Sequence, residues 1–391
     1  MKIVVVASLA FSLVNFRGRL LADMIAAGNE VIACAPDDDI EVAAALAGLG
    51  VTYRAMPMSR TGLNPFADLR TLVWLIGLFA RERPDVVLAY TQKPIIYAGL
   101  ASRIARRPRF LPMVSGLGHA FSDESGRWLR RLVATLYRQA LTKAETVFVF
   151  NSDDEEEMLR NGMMRRDVPV VQLPGSGVDL DRYSVAPLPK GPLRFLMIAR
   201  LLRSKGLIEY VEAARRIRAR HPEIRFALLG PLDPNPDGVG QAQVDAWQRD
   251  GVIDYLGEVR DVRPHLAAAS VFVLPSWYRE GLPRTILEAM ATGRAVVTTD
   301  MPGCREPVEQ GITGIIVAPR DIEALEGAMM AFVRDPGLAV TMGEHGRRAV
   351  AARFSVERVN AMLLAALQPR EGGGHRSSPR SPAIALADGM P

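Results

Sequence analysis

Short apolar segments alternate with longer amphipathic ones along most of this chain, and that alternation limits the folds it can adopt. The first apolar runs have the length and valine content of buried strands, at 2–7, 30–35, 51–55, 85–90, 109–114 and 146–150. Helical patterns such as 65–82 and 127–142 lie between them. Because buried strands separated by helices form parallel sheets covered on both faces, the first half predicts a doubly wound α/β domain.

The alternation stops once, at residues 178–193, and then resumes. Four prolines mark an extended linker around this stretch: Pro174, Pro187, Pro189 and Pro192. Further strand-like runs follow at 193–200, 224–230, 252–257, 271–275, 295–300 and 313–319. A chain of 391 residues is also too long for one compact core. The sequence therefore predicts two Rossmann-like domains.

The predicted domain boundaries follow this pattern, with residues 1–182 in the N-terminal domain and residues 183–354 in the C-terminal domain. A last helix at about 355–367 can pack back on the first domain. Residues 369–391 are rich in Gly, Ser, Pro and Arg and are expected to be disordered. Two such domains facing each other would leave a cleft at the carboxyl ends of both sheets, where open α/β folds bind ligands.

Charge and cysteine content narrow the possible partners. The formal net charge of +5 is compatible with a phosphate-bearing substrate or an anionic membrane surface, and it is too small to indicate nucleic acid. The two cysteines, Cys34 and Cys304, lie in apolar surroundings and are expected to be buried thiols in a reducing cytosol. No disulfide framework and no metal cluster are predicted.

Two apolar stretches resemble targeting or membrane segments but are better explained by the fold. Residues 1–16 contain a lysine followed by an apolar run, as a signal peptide does, yet the run is rich in valine and further strands follow at regular spacing. Residues 71–80 are too few to span about 30 Å of hydrocarbon as a helix. The sequence predicts no transmembrane helix and a cytoplasmic location.

A basic turn follows the first strand of the second half. The stretch RLLRSKG contains Arg200, Arg203, Lys205 and Gly206, and a helix is expected to begin near Lys205. A strand, a basic loop and a helix N-terminus together make an anion site, because backbone N–H groups and side-chain cations converge there. The alternative is a solvated basic turn without a ligand.

A second loop of the same construction lies at 278–293, with the sequence YREGLPRTILEAMATG. It places Glu280 on a Gly-Pro turn and Glu288 on the helix that the turn starts, with Pro283 in the first helical turn. Carboxylates can accept hydrogen bonds from the neutral hydroxyls of a sugar or a ribose. A diphosphate flanked by two hydroxylated rings would explain acids and bases in one site. Taken alone, two acids at this spacing are common on protein surfaces.

The stretch E-G-L-P-R-T-I-L-E-A-M-A-T-G-R-A-V resembles the E-x7-E signature of the family-four retaining glycosyltransferases, which have the GT-B fold. ARLLRSKG resembles the diphosphate-binding loop of that family, and GVDLDRYS resembles its interdomain segment. The resemblance covers about residues 1–367. Within the family, the stretches 12–36 and 91–121 resemble bacterial enzymes that extend polyprenyl-diphosphate-linked glycans in capsule, O-antigen or N-glycan assembly.

The resemblance implies a role for each motif residue. Arg200 and Lys205 would bind the donor diphosphate and stabilise the departing nucleotide, and Glu280 would bind hydroxyls of the donor sugar. Glu288 would bind the ribose, and His119 would contact the donor sugar from the N-terminal domain. Further donor contacts are implied for Gly281, Leu282, Pro283, Thr285, Gly230 and Val259, the last two in loops that read the base.

One departure from the family concerns the first loop, where many members carry a Gly-Gly pair close to the phosphates. This chain has FSLVNFRG instead. Gly18 is expected to take over part of that role, and Asn15 and Arg17 are expected to line the donor or acceptor pocket.

The resemblance implies transfer of a hexose or N-acetylhexosamine from a nucleotide sugar, with UDP preferred, to a lipid-linked saccharide bound by the N-terminal domain. No cofactor is implied. A sugar-nucleotide 2-epimerase, a transferase with a soluble acceptor and a non-catalytic binding module remain alternatives. A dinucleotide dehydrogenase is disfavoured, since no G-x-G-x-x-G follows the first strand. The triplet DLD at 179–181 resembles a metal motif but lies on the linker, so no metal is expected.

Residues 101–145 carry nine basic side chains against three acids, with aromatic and apolar residues between them. An ordinary amphipathic helix with a solvated basic face would explain this pattern. The alternative is peripheral attachment to the anionic inner face of the cytoplasmic membrane, where basic residues meet headgroups and aromatic residues anchor at the interface. The residues expected to make that contact are Arg127, Trp128, Arg130 and Arg131.

Overall fold

The computed structural model describes residues 1–36, 38–59, 64–117 and 127–368. They form two compact units. The first contains Met1–Leu173 together with the described residues from Asn360 onward, and the second contains Pro174–Val359. His119 and the predicted tail at 369–391 lie outside the described residues.

The first unit is built on a parallel sheet. Its described strands are β1 (Lys2–Val6), β2 (Glu30–Ala35), β3 (Thr52–Ala55), β4 (Val86–Tyr90), β5 (Arg109–Val114), β6 (Val147–Val149) and β7 (Val170–Gln172). Their order is β3-β2-β1-β4-β5-β6-β7, and neighbouring strands pair in parallel. The run that resembles a signal peptide supplies β1, an interior strand of the sheet, in which Ile3, Val4, Val5 and Val6 are fully buried.

Helices cover this sheet, as the alternating pattern predicted. They are α1 (Ala10–Asn15), α2 (Gly18–Ala26), α3 (Ile40–Gly48), α4 (Pro65–Glu82), α5 (Gln92–Ala105), α6 (Arg127–Leu141) and α7 (Ser152–Arg160). The apolar stretch 71–80 lies inside α4, which begins where the Asn64 side chain accepts the N–H groups of Phe66 and Ala67. In the part of the chain that the structure describes, no helix is both long and apolar enough to cross a membrane.

The second unit has the same construction. Its described strands are β8 (Arg194–Ile198), β9 (Arg225–Leu229), β10 (Asp254–Tyr255), β11 (Val271–Leu274), β12 (Ala295–Thr299) and β13 (Gly314–Val317). Its helices are α8 (Leu207–Arg220), α9 (Gln241–Arg249), α10 (Arg263–Ala267), α11 (Arg284–Ala291), α12 (Ile322–Arg334) and α13 (Gly337–Arg353). The strand order is β10-β9-β8-β11-β12-β13, the doubly wound order of a Rossmann fold. The direction of winding therefore reverses between β8 and β11.

The division between the units differs from the predicted boundary in the linker. Residues 174–182, which the sequence assigns to the N-terminal domain, belong to the second unit. The reason is a backbone pairing: the Val178 N–H donates to the Phe354 carbonyl at 2.9 Å, and the Val356 N–H donates to the Val178 carbonyl at 3.0 Å. This stretch is therefore tied to the end of α13 and the residues after it.

The last helix, α14 (Val356–Leu367), belongs to the first unit from Asn360 onward. There the Asn360 side chain donates to Asp23 at 2.6 Å. The Arg109 guanidinium donates to the carbonyls of Leu367 at 2.6 Å and Ala366 at 2.9 Å, the unpaired acceptors of a helix C-terminus. These bonds fix the end of the described chain to the first sheet.

Candidate functional site

The two charged loops of the second unit follow neighbouring strands. β8 and β11 pair in parallel, with Phe195 opposite Val271 and Leu196 opposite Phe272. Both strands therefore end at the same edge of the sheet, and the loops after them meet there. That edge is the point at which the winding reverses, where doubly wound sheets bind their ligands.

The first loop turns sharply before α8. Arg203–Lys205 form a single 3₁₀ turn, and Gly206 follows with φ +77° in the left-handed region. A Cβ added at Gly206 would lie 2.0 Å from the carbonyl oxygen of Pro275 in the second loop. Glycine is therefore required here both by the backbone conformation and by the contact between the two loops.

Ser204 joins the two loops by hydrogen bonds. Its carbonyl accepts the backbone N–H of Trp277 at 2.9 Å and that of Tyr278 at 3.0 Å. The hydroxyl oxygen of the buried Ser276 lies 3.3 Å from the same carbonyl oxygen. The basic turn is thus held directly against the strand end that carries Glu280.

Lys205 and Glu280 form an ion pair in this arrangement. The Lys205 Nζ donates to the Glu280 Oε1, and the two side chains are only 13% and 12% exposed. The Ser276 hydroxyl donates to the same carboxylate oxygen at 3.1 Å, and the Lys205 Nζ lies 5.2 Å from the centre of the Tyr278 ring. Because water screens a mostly buried pair poorly, this interaction is stronger than an exposed salt bridge.

The backbone of Glu280 is held by the loop after β12. The Glu280 N–H donates to the Pro302 carbonyl at 3.2 Å. This loop was not among the predicted site segments, although the Pro302–Gly303 pair directly after a predicted strand is a recognisable turn signal. Glu280 is therefore positioned by the ends of three neighbouring strands, β8, β11 and β12.

Glu288 has a different environment, one turn inside α11. The residue is 7% exposed, and the Arg284 Nε donates to its Oε1 at 3.3 Å. Burial and the negative charge of Glu288 raise the pKa of Tyr183, which lies near it on the linker. Tyr183 belongs to the GVDLDRYS stretch, and no role was predicted for it from the sequence.

Arg200 lies at the rim of this site. It is half exposed, and its Nη1 donates to the Asp233 carboxylate at 2.7 Å. Asp233 itself is mostly buried, with a side chain that is 14% exposed. The two cations that the family resemblance assigns to the diphosphate are thus each paired with an acid in the second unit.

Gly281, Leu282 and Pro283 lead into α11, and Thr285 lies in its first turn. Pro283 is the N-cap, one position before the helix begins at Arg284. The sequence had predicted it in the first helical turn, one position further along. The Leu282 side chain is 8% exposed and lies against Gly175. A ligand contact at Leu282 would therefore have to use its backbone, and the donor-binding roles of these four residues stay predictions.

Gly230 and Val259 follow β9 and β10. A Cβ at Gly230 would lie 1.9 Å from the Ala199 carbonyl oxygen, so close packing of two backbones explains the glycine. Its N–H donates to the Gly257 carbonyl and its own carbonyl accepts the Tyr255 hydroxyl, both at 2.9 Å. Val259 is half-buried in the irregular segment before α10. Base recognition by these loops remains a prediction.

In the first unit, Asn15 ends α1 and Gly18 begins α2. The Asn15 side chain donates to the Phe11 carbonyl at 3.2 Å. The nearest atom to a Cβ added at Gly18 would be 4.0 Å away, so packing does not demand glycine there. Arg17 between them is buried, with its guanidinium 5.2 Å from the centre of the Tyr90 ring and 2.8 Å from the Met113 sulfur. The predicted pocket roles of Asn15, Arg17 and Gly18 are not tested by these contacts.

The DLD triplet forms a turn. The Asp179 carboxylate accepts the N–H groups of Asp181 and Arg182, each at 3.0 Å, and so caps the turn. Within the described ranges, no group of three or more His, Cys, Asp or Glu side chains is arranged to hold a metal ion. The metal-free site stays a prediction.

Both halves of the chain match known glycosyltransferase families. Residues 15–175 match the family described as "Glycosyl transferase 4-like domain", and residues 192–335 match "Glycosyl transferases group 1". The chain belongs to the family-four glycosyltransferases. This confirms the family predicted from the E-x7-E stretch and the basic turn, and with it that the protein is an enzyme.

Two curated glycosyltransferases are similar over most of this family-four chain. The N,N'-diacetylbacillosaminyl-diphospho-undecaprenol alpha-1,3-N-acetylgalactosaminyltransferase of Campylobacter jejuni is 26% identical over 351 residues, 85% of this chain and 90% of that protein. The UDP-Gal:alpha-D-GlcNAc-diphosphoundecaprenol alpha-1,3-galactosyltransferase of Escherichia coli is 26% identical over 318 residues, 77% of this chain and 79% of that protein.

A solved structure confirms the GT-B fold. Anabaena Alr3699/HepE in complex with UDP superposes with a TM-score of 0.75 at 18% identity, covering 94% of this family-four glycosyltransferase and 99% of that chain. An identity this low supports the fold alone. Two Rossmann-like units with parallel sheets are therefore the architecture that the alternation of strands and helices predicted.

Proposed function

We propose that this glycosyltransferase moves a hexose or N-acetylhexosamine, with retention of configuration, from a UDP-sugar to a hydroxyl of a polyprenyl-diphosphate-linked saccharide. The observation that carries the proposal is the Lys205–Glu280 pair at the strand ends where the second sheet reverses its winding. The two curated relatives support the acceptor class, since both are named for diphospho-undecaprenol substrates. The E. coli relative is also named for UDP-Gal, which supports the donor class.

The charges of the site suit a diphosphate next to a sugar. An ammonium group has three N–H donors, so Lys205 can keep its bond to Glu280 and still donate to a phosphate oxygen. Arg200, at the rim, can supply a second cation to the same diphosphate. A carboxylate has about four lone-pair sites, so Glu280 can accept hydroxyls of the donor sugar in addition to the bonds from Lys205 and Ser276.

Glu280 is a poor candidate for a nucleophile. Its negative charge is offset by Lys205 and further stabilised by the Ser276 hydroxyl, which lowers its reactivity. Front-face attack fits better: the acceptor hydroxyl approaches as the nucleotide leaves, and the leaving phosphate takes the proton. Lys205 and Arg200 then act by stabilising the charge that develops on the diphosphate.

The direct test is a transfer assay with the purified protein, a polyprenyl-diphosphate-linked saccharide and a panel of UDP-, GDP- and dTDP-sugars. Transfer from a UDP-sugar with the anomeric configuration kept, observed by NMR, is the expected result. Rearrangement of the donor without an acceptor would instead indicate the 2-epimerase. Transfer only to water-soluble saccharides would overturn the lipid-linked acceptor.

Glu288→Gln is expected to raise KM for the donor by about tenfold, the scale of one hydrogen bond to a charged group, with a smaller change in kcat. Contacts to the ribose have nearly the same strength in the ground and transition states. Their loss therefore weakens donor binding and raises KM without changing the barrier of the chemical step. The matched control is Glu212→Gln, which breaks the same kind of (i, i+4) pair, with Arg216, on the exposed side of α8. A large loss of kcat at unchanged KM would contradict the ribose role.

The membrane contact is proposed for the first unit, at the start of α6. Trp128 is 67% exposed, and Arg127 and Arg131 beside it are also exposed. Arg130 is half-buried and so contributes less of its surface than the sequence suggested. An exposed tryptophan between arginines is the combination that favours an anionic lipid interface.

A second helix strengthens this proposal. On α4, Phe66 is 85% exposed, Leu69 57% and Val73 59%, at a spacing that places them on one face. α5 packs against both α4 and α6, so the three helices form one layer on the sheet. Because α4 and α6 each follow a parallel strand, both begin at the carboxyl edge of the sheet, and their exposed apolar residues lie at that same end.

Binding to vesicles that contain anionic lipid is therefore expected to fall with salt and to weaken strongly in the triple variant Arg127→Glu, Arg130→Glu, Arg131→Glu. Each basic residue near the surface contributes about 1 kcal/mol. Phe66→Ser with Leu69→Ser should weaken binding at every salt concentration, because it removes apolar burial. Co-sedimentation measures both effects. A control with the same charge change carries Arg249→Glu, Arg334→Glu and Arg348→Glu, and equal loss in that control would contradict a specific surface.

A further inference from the structure

The segment between β9 and α9 folds onto the basic turn. Its own side chains shape it: the Asp233 Oδ1 accepts the Asn235 N–H at 2.9 Å, and the Asn235 Oδ1 accepts the Asp237 N–H at 3.0 Å. These two turns shape residues 233–237. Backbone bonds on either side of them, from the Leu201 N–H to the Pro231 carbonyl at 3.0 Å and from the Val239 N–H to the Leu201 carbonyl at 2.9 Å, join the segment to the start of the basic turn. The position of Asp237 is set by these turns and these backbone bonds together.

Asp237 makes three bonds to the turn that carries Lys205. One carboxylate oxygen, Oδ2, accepts both the Ser204 N–H at 3.1 Å and the Ser204 hydroxyl. The Asp237 carbonyl accepts the Arg203 N–H at 2.9 Å. Since the Ser204 carbonyl is held by Trp277 and Tyr278, both polar ends of Ser204 are fixed, one by each neighbouring segment.

We propose that Asp237 is a positioning residue for the donor-diphosphate turn and acts through Ser204. It holds the residue directly before Lys205 and so sets where the Lys205 side chain starts. Asp233 lies in the same segment. Its Oδ1 accepts the Asn235 N–H, and its Oδ2 accepts a hydrogen bond from the Arg200 guanidinium and so holds that side chain. The inference rests on the proposed function only in taking this turn as the place where a nucleoside diphosphate binds.

Asp237 could act either by accepting hydrogen bonds or through its negative charge, and these two roles can be told apart. A negative charge near a bound diphosphate is unfavourable, so the carboxylate is useful here as an acceptor of two hydrogen bonds. An amide oxygen can accept the same two bonds. Asp237→Asn should therefore preserve the turn, whereas Asp237→Ala removes the acceptor and leaves the Ser204 N–H and hydroxyl without it.

The experiment measures the Kd of UDP, GDP, dTDP and ADP by calorimetry, together with KM for the donor, in the full-length wild type and variants. Asp237→Ala is expected to weaken binding of the preferred diphosphate by about tenfold or more, the scale of losing a bond to a charged group. Asp237→Asn should stay within about threefold of the wild type, on the same scale. The matched control is Asp335→Ala, which removes an aspartate that accepts the Gly337 N–H at 2.9 Å, between α12 and α13.

Three results would overturn the inference. Equal affinities in Asp237→Ala and Asp335→Ala would mean that Asp237 does not position the turn. If Asp237→Asn weakened diphosphate binding as much as Asp237→Ala, the negative charge of Asp237 would matter, and its capacity to accept hydrogen bonds would not explain the effect. If the Asp237→Ala variant does not fold, Ser204→Ala is tested in its place. Ser204→Ala should then weaken diphosphate binding, and Asp237→Asn should not. A wild type that prefers GDP would contradict only the UDP assignment, and one that binds no diphosphate would contradict the donor site and this inference with it.

Discussion

Glu280→Ala is expected to lower kcat for sugar transfer by at least about a hundredfold, and Lys205→Ala by a similar factor, the scale of losing one preorganised stabiliser. Lys205 offsets charge on the departing diphosphate, and Glu280 both orients Lys205 and accepts donor hydroxyls. The measurement is the steady-state rate with a saturating donor. Glu344→Ala and Lys190→Ala, both exposed in the second unit, are the matched controls.

The ion pair also makes a prediction about stability that the sequence could not make. From the sequence alone, both single variants would be expected to leave the fold unaffected, because each residue would serve only the ligand. In the structure each variant removes the ion-pair partner of a mostly buried charge, which costs roughly 1–3 kcal/mol. The double variant Glu280→Ala, Lys205→Ala should therefore be less destabilised than the sum of the two single variants. Additive losses in thermal stability would contradict the pairing, and near-normal rates in folded single variants would contradict the donor site.

Gly206→Ala is expected to reduce activity by a similar factor, about a hundredfold, because it misplaces the same turn. An alanine in the left-handed region costs about 1–2 kcal/mol by itself. At Gly206 the added Cβ would also lie 2.0 Å from the Pro275 carbonyl oxygen, so the two loops must move apart. Lys205 and Glu280, one on each loop, would then separate. Rates and thermal unfolding of the purified variant measure both effects.

The chain offers a matched control for this substitution. Gly251 has a similar φ of +68°, and a Cβ there would meet no atom within 4 Å. Gly251→Ala should therefore lose stability from the backbone conformation alone and keep its activity. Equal losses of activity in the two variants would mean that the contact with Pro275 does not position the site.

Local patterns in the sequence were enough to predict the fold, the family and the loops that carry the charged motifs. A run such as β8 contains mostly apolar side chains because a parallel strand under helices is buried on both faces. Gly206, and the Pro283 that precedes α11, mark the ends of turns by their own backbone restrictions. Such signals depend on neighbours along the chain, so they are present in the sequence itself.

The contacts inside the site were decided by the tertiary structure. Lys205 and Glu280 are 75 positions apart, and they meet because β8 lies next to β11 in the sheet. Asp237 reaches Ser204 across 33 positions because turns in its own segment and backbone pairing with residues 201–203 place it there, and no periodic pattern indicates that target. Even the exposure of Phe66 on α4 depends on which side of the helix faces α5. Spacing along one chain can indicate which residues share a face, but their partners follow from the strand order and helix packing that bring distant segments together.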